Sequence, residues 1–284
     1  MTKFITIPKE LLPRVKLNYE QKIPKIIWQT FKTNRVPFIM KDYVDSWITK
    51  NPEYTYRFFD DQDVQNFLKE HFPDYYKAYN KIKFGSSKAD LWRYLIIYKY
   101  GGVYADLDCR CNNSLRKWIR PDSQFVTQLG INKDICQWLL ISEPENPIFL
   151  KAAEKSLENI INNTSKAAHY GFKLIHNQLF ISNNTPILLF NDKVLALAGP
   201  PVLQQVAEDC FNDGSLKSIL PNTQIMCVSN SVNSCQMKGN VSHGEENGKY
   251  RKALRILKIP HYNDFLSKVN RKIYRFLGKR LPLI

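Results

Sequence analysis

Apolar positions in this chain recur at two spacings, every second residue and every third or fourth. Residues 25–30 (KIIWQT) form a short apolar run behind Pro24 and predict a first buried strand. From about 40 to 50 the spacing becomes helical. Asn51-Pro52 stops that helix, because a residue before proline is pushed out of the α region. Residues 54–59 alternate and predict a second strand. Asp60-Asp61 then offer side-chain oxygens to the first amides of a helix that reaches His71 and ends at Pro73. Ser86 or Ser87 is expected to cap the next helix, which runs to Tyr100 and ends at Gly101-Gly102. A third strand follows over 103–106.

Beyond it, 126–129 and 136–142 read as strands and 147–161 as a helix with Pro147 in its first turn. Residues 177–184 read as loop. A strand over 194–198 is expected to deliver Gly199-Pro200-Pro201 to another helix start, and 225–228 is the last strand. Residues 229–248 form a long polar loop of the kind that tends to carry function. Strands interleaved with helices make an α/β order. No repeat and no linker divides the chain, so a single domain is expected over 1–260, with a separate segment at 261–284.

Composition narrows the function classes. A chain of 284 residues with 44% hydrophobic and 13% aromatic content can bury a sizeable core. No apolar run approaches the ~20 residues that span a bilayer, and 1–14 has no signal-peptide core, so a cytoplasmic protein is expected. Six cysteines with a lone Cys109-x-Cys111 suggest reduced packing residues. The net charge of +15 is concentrated. Residues 249–284 hold eleven Lys or Arg and one acid, Asp264, which leaves +5 for the rest. A basic stripe for nucleic acid is therefore not indicated across the fold.

Two Asp-x-Asp pairs stand out, and the pattern alone is weak. Asp61 and Asp63 sit at a helix start, where acids complement the helix dipole and need no chemistry. Asp106 and Asp108 instead end the third strand, where open α/β sheets place ligands, and alternate residues leaving a strand can face one hard cation. The helix before them has a core stripe of Leu91, Tyr94, Leu95 and Tyr98, with Asp90 and Arg93 together on a neighbouring face. An acid for sugar hydroxyls, an arginine for phosphate and a dicarboxylate for metal make a nucleotide-sugar site.

The run 86-SSKADLWRYLIIYKYGGVYADLD-108 resembles the Asp-x-Asp sugar transferases of glycosyltransferase family 32, and 23-IPKIIWQTFK-32 resembles their opening strand. These relatives include fungal initiating mannosyltransferases, bacterial capsule and lipopolysaccharide transferases and, distantly, clostridial glucosylating toxins. The resemblance implies a GT-A fold, in which a mixed central sheet is flanked by helices. Its nucleotide-sugar half would cover about 23–120 and its acceptor half about 121–260. It also implies a UDP- or GDP-sugar donor, a Mn²⁺ or Mg²⁺ ion, retention of configuration, and a glycan or lipid-linked acceptor in capsule or lipopolysaccharide synthesis. Carried over by residue, Asp108 would ligate the metal and Asp106 would hold both metal and donor. Asp90 would bind sugar hydroxyls, and Arg93 would lie near sugar and diphosphate. Trp28 and Gln29 fall where the donor base would lie; for Trp28 a core position is the alternative. Gly199-Pro200 matches a family turn, His243 is the third metal ligand expected from the last loop, and Lys249 is a diphosphate contact.

No general base stands out, and a retaining transfer has two routes. Either the leaving phosphate oxygen accepts the acceptor's proton, or a carboxylate attacks from the opposite sugar face. Two other classes stay open: a phosphotransferase with an Asp-x-Asp nucleophile, and a non-catalytic protein binding membrane or nucleic acid through its tail. In that tail Tyr262, Phe265, Leu266, Val269, Ile273 and Phe276 form a helical apolar stripe flanked by Lys and Arg. Such a helix is expected to lie on an anionic membrane surface at the cytoplasmic face; the alternative is that the stripe packs on the catalytic domain with its charges solvated.

Overall fold

The computed structural model describes residues 4–82, 85–117, 119–129, 135–162, 197–215, 222–227 and 235–237. The chain starts with β1 (Phe4–Thr6), β2 (Glu10–Leu11), β3 (Ile26–Thr30) and β4 (Arg35–Pro37), followed by α1 (Phe38–Lys50) and β5 (Thr55–Phe59). Three helices come next, α2 (Asp61–His71), α3 (Pro73–Lys81) and α4 (Gly85–Tyr100), leading into β6 (Gly102–Ala105) and β7 (Cys109–Cys111). Then come β8 (Phe125–Leu129), β9 (Leu139–Ser142), α5 (Pro147–Asn162), α6 (Pro200–Asn212), β10 (Thr223–Cys227) and β11 (Cys235–Met237).

Seven strands form one mixed sheet in the order β10-β8-β9-β6-β3-β5-β2. β3 runs parallel to β5 and β6, whereas β9 is antiparallel to both β6 and β8. The period of two along each strand divides the core between the two faces. Trp28, Tyr104, Phe125 and Leu140 pack on the side that holds α2 to α6. Ile27, Val103, Ala105, Tyr56, Phe58 and Ile141 pack on the other side with Met40, Val44 and Trp47 of α1. A central strand covered on both faces reads as a continuous apolar run, and all four residues of β6 are buried. The α/β class is the one expected from the element order, and the mixed sheet flanked by helices is the one the resemblance implies.

Several local expectations change. α4 begins at Gly85, so Ser86 and Ser87 lie inside its first turn and do not cap it. Pro73 both ends α2 and opens α3, because its missing N–H costs nothing in a first turn. Residues 136–138 form a turn before the shorter β9, and Leu197 and Ala198 are helical instead of extended. α4 has no single stripe: Asp90 through Ile97 are buried without a break. A helix apolar all round belongs in the middle of a protein. α4 is clasped between the sheet and α5, so Asp90 and Arg93 sit in the interior and not on a surface face. The stretches 177–184 and 261–284 lie outside the described residues.

Candidate active site

Two glycines set the approach to the site. Gly101 and Gly102 have φ of 62° and 97°, in the left-handed region that favours glycine. A Cβ on Gly101 would stand 2.7 Å from the Pro144 nitrogen, and one on Gly102 would stand 2.7 Å from the Ile26 carbonyl oxygen. The pair lets α4 reverse into β6 within one residue, bringing Asp90 and Arg93 back beside the strand's C-terminal end.

Asp106 lies just beyond that end and its backbone is fixed on three sides. Its N–H donates to the Trp138 carbonyl at 2.9 Å, and its own carbonyl accepts from the Cys109 N–H at 3.0 Å and from Gln29 Nε2 at 3.3 Å. Gln29 is itself held, since the Tyr56 hydroxyl donates to its Oε1 at 3.0 Å. The Asp106 carboxylate accepts from the Tyr104 hydroxyl at 2.5 Å through Oδ1, and the same oxygen lies 3.1 Å from Arg93 Nη2.

Arg93 joins both ends of the site. Nη2 is also 3.1 Å from Asp90 Oδ1, Nη1 donates to the Gln137 carbonyl at 3.0 Å, and Nε donates to the Ala89 carbonyl at 3.3 Å. The guanidinium lies over the Tyr104 ring, 4.6 Å from its centre. Burial works against the arginine's charge, but Asp106, Tyr104 and Asp90 outweigh it, so the group stays protonated. The Tyr104 hydroxyl is held protonated mainly by burial, against the pull of Arg93, and so remains a donor to Asp106. Removing one partner from such a buried ion pair costs about 3–5 kcal/mol, because the other charge is left uncompensated.

The network extends to the turn before α6. Gln137 Nε2 donates to the Ala198 carbonyl at 2.8 Å and to the Tyr94 hydroxyl, which in turn donates to the Ala198 carbonyl at 2.8 Å. The sequence reading did not single out Gln137, Tyr94 or Tyr104 for this site. Tyr104 carried a usable signal, since it stands two residues before Asp106 on one strand face. Gln137 carried none, because its role arises from two segments meeting.

Charge is the unbalanced feature here. Burial raises the Asp90 carboxyl to about 7 against the pull of Arg93. Burial and the neighbouring Asp106 together raise Asp108 to about 7, although Asp108 is only partly covered and reaches the rim. Two hard carboxylates that repel each other are what a hard divalent cation relieves. Asp106 and Asp108 therefore fit a Mn²⁺ or Mg²⁺ ion as two of its oxygen ligands. Among the described residues no third His, Cys, Asp or Glu joins them, which leaves the other positions to solvent, to a bound diphosphate or to residues elsewhere in the chain.

Of the other expected site residues, Gln29 reaches Asp106 through its backbone. Trp28 is a packing residue: it is 3% exposed, its indole N–H donates to the Gly101 carbonyl at 2.8 Å, and its ring stacks on Tyr100. Gly199 is the N-cap residue of α6, with Pro200 at its first position. His243 and Lys249 lie outside the described residues.

Residues 37–126 match the family model described as a glycosyltransferase sugar-binding region containing the DXD motif. The mannosyl phosphorylinositol ceramide synthase of Saccharomyces cerevisiae is 35% identical over 49% of this chain and 36% of its own length. Inositol phosphoceramide mannosyltransferase 3 of Schizosaccharomyces pombe is 39% identical over 37% of this chain and 32% of its own. An initiation-specific alpha-1,6-mannosyltransferase of Candida albicans is 27% identical over 54% and 49%. The chain thus spans between a third and a half of the length of these curated relatives. Among solved structures, the PaToxG glycosyltransferase aligns with 82% of this chain and 85% of its own at 14% identity and a TM-score of 0.47. Asp90, Arg93, Asp106 and Asp108 all fall inside the matched region, and this part of the chain is similar to the DXD-motif glycosyltransferases.

Proposed function

We propose that the chain is a metal-dependent, retaining glycosyltransferase that moves a hexose from a UDP- or GDP-sugar to a glycan or lipid-linked saccharide. The observation that carries this reading is the buried Asp90–Arg93–Asp106 chain ending at Asp108, beyond a central strand of the sheet. As the glycosidic bond breaks, negative charge accumulates on the departing nucleoside diphosphate. A Mn²⁺ or Mg²⁺ ion on Asp106 and Asp108 would supply the positive charge that offsets it. Arg93 and Tyr104 aim Asp106 by engaging one of its carboxylate oxygens. Asp90 uses Oδ1 for Arg93, and a carboxylate has further acceptor sites for a sugar hydroxyl.

Mannose is the first sugar to test, because the three relatives above are all named for mannose transfer, two of them to inositol phosphoceramide. Those names favour a lipid-linked acceptor. A role in capsule or lipopolysaccharide synthesis has no counterpart among these three fungal proteins. The apolar stripe and basic flanks of 261–284 support a membrane-surface attachment that would bring the site to such an acceptor. Among the described residues no helix is long and apolar enough to cross a membrane.

The test is a screen of UDP- and GDP-sugars, GDP-mannose first, for slow donor hydrolysis with Mn²⁺, Mg²⁺ or EDTA. Turnover of one donor that EDTA abolishes is the expected result. No turnover of any donor with either metal, by protein that is folded by circular dichroism, overturns the reading. Sedimentation with anionic liposomes, lost on removal of 261–284 with donor hydrolysis intact, tests the membrane attachment.

A further inference from the structure

Gln29 lies on β3 two residues after Ile27, so the alternation of the strand turns it to the face that α1 covers. It has no exposed surface. A buried amide needs partners at both ends, and those partners fix which way it points. The Asp106 carbonyl can only accept, so the end that lies 3.3 Å from it is Nε2. Oε1 then faces the Tyr56 hydroxyl of β5, which donates to it at 3.0 Å. Burial raises the pKa of that tyrosine above its ordinary value, so the hydroxyl keeps its proton. A chain of two hydrogen bonds therefore runs from β5 through β3 to the backbone of Asp106.

What Gln29 holds is a turn. The Asp106 carbonyl also accepts the Cys109 N–H at 3.0 Å, which closes a β-turn with Leu107 and Asp108 at its centre. The first residue of this turn carries one carboxylate and the third carries the other, so a shift of the Asp106 peptide moves both. Arg93 and Tyr104 grip only the Asp106 side chain, whereas Gln29 acts on the backbone and so reaches Asp108 as well. The ladder pairs of β3 with β6 end at Trp28 and Tyr104. One residue further along, the Gln29 side chain takes over the link between the two strands.

We propose that Gln29 is a positioning residue, which sets the spacing and aim of the Asp106 and Asp108 carboxylates by holding the turn between them. The proposal rests on the glycosyltransferase reading and replaces the base contact that the resemblance implies for Gln29. A side chain with no exposed surface acts on a ligand through its neighbours. A misplacement of about 1 Å near reacting groups can cost ~10²-fold in rate, so loss of this tether is felt in turnover.

The test uses two variants of the full chain. Gln29→Met keeps the length of the side chain and removes both hydrogen bonds. The Asp106 carbonyl retains the Cys109 N–H, but the Tyr56 hydroxyl is left buried without its acceptor, which lowers the melting temperature. Adding Tyr56→Phe removes that orphaned group, so the double variant should recover most of the wild-type melting temperature. Its turnover should not recover. With saturating Mn²⁺, kcat for hydrolysis of the donor should stay at least ~10-fold below wild type, with the donor KM within about threefold. Hydrogen–deuterium exchange over 106–109 should be several-fold faster than wild type in both variants, a readout that needs no turnover. Wild-type exchange over 106–109 in the double variant would overturn the proposal. So would a kcat that recovers together with the melting temperature, which marks a purely structural pair, or a loss confined to KM, which marks a base contact. A wild-type chain that turns over no donor, with exchange changed as expected, counts against glycosyl transfer and supports the tether.

Discussion

At the start of α2, Asp60 and Asp63 use their carboxylates on the helix itself. Asp60 accepts from the Gln62 and Asp63 amides, Asp63 accepts from the Asp60 N–H, and Lys9 lies 2.6 and 2.7 Å from the two. Asp63 is the second member of the Asp61-x-Asp63 pair, and beyond β6 that same Asp-x-Asp spacing has no helix to cap. Asp106 is held through its backbone, its carboxylate meets a buried arginine and a tyrosine hydroxyl, and Asp108 is left with a charge that its surroundings disfavour. One pattern thus gives a satisfied structural motif in one place and, in the other, a carboxylate whose charge its surroundings disfavour. The difference comes from what the rest of the fold brings alongside.

The sharpest way to break this comparison is to remove one carboxylate from each pair. Asp108→Ala should fold normally and lose at least ~10² in donor turnover, whereas Asp61→Ala should leave turnover near normal. Steady-state kinetics with saturating Mn²⁺ compares them, and equal activity of the two would end the distinction.

Tyr104→Phe comes next in size. It keeps the ring under Arg93 but removes the hydroxyl from Asp106, a hydrogen bond to a charged group worth about 1.5–3 kcal/mol. Turnover should fall about 10-fold or more with the far-ultraviolet spectrum unchanged. Unchanged kinetics would mean that Asp106 needs no such support.

A pH series on Asp90→Asn sharpens the contrast from the side of stability. Because burial raises the Asp90 carboxyl to about 7, the native chain binds that proton more tightly than the unfolded chain, where the carboxyl titrates near 4. Its contribution is fully present below about pH 4 and is lost as the pH rises towards 7. The asparagine variant stays neutral, so its melting temperature relative to wild type should rise by a few degrees between pH 4 and pH 8 while donor turnover falls. A gap that stays constant across that range would show that Asp90 titrates like an ordinary carboxylate.

The smallest effect belongs to the structural motif. Asp60→Ala removes the cap of α2 and should cost about 1 kcal/mol of stability, measured by urea unfolding, without changing turnover. A loss of activity beyond that of the fold would mean that the two regions are coupled.

Much of the element map was legible because local rules act alone there. The alternation of 54–59, the acids before α2, the proline after Gly199 and the double glycine before β6 each state a backbone requirement within a few residues. The short strands β1, β2, β4, β7 and β11 were not legible. At two or three residues they carry too little periodicity, and partners far along the chain stabilise them. The start of α4 was misplaced for a related reason: serines read as caps were drawn into a helix that shares its core with four others.

For the candidate site, the sequence by itself named the residues that the proposed chemistry would use. Asp90, Arg93, Asp106 and Asp108 could be named from their spacing around Gly101-Gly102, because a helix, a tight reversal and a strand fix what is brought together over nineteen positions. Only the tertiary structure decided what each of them does. It buries Arg93 between two carboxylates, turns Trp28 into the core, and brings Gln137 and Tyr94 to tie the turn before α6 to the site. Charge burial and hydrogen-bond partnership depend on neighbours from distant segments, and those neighbours exist only once the sheet has put β3, β6 and β9 side by side.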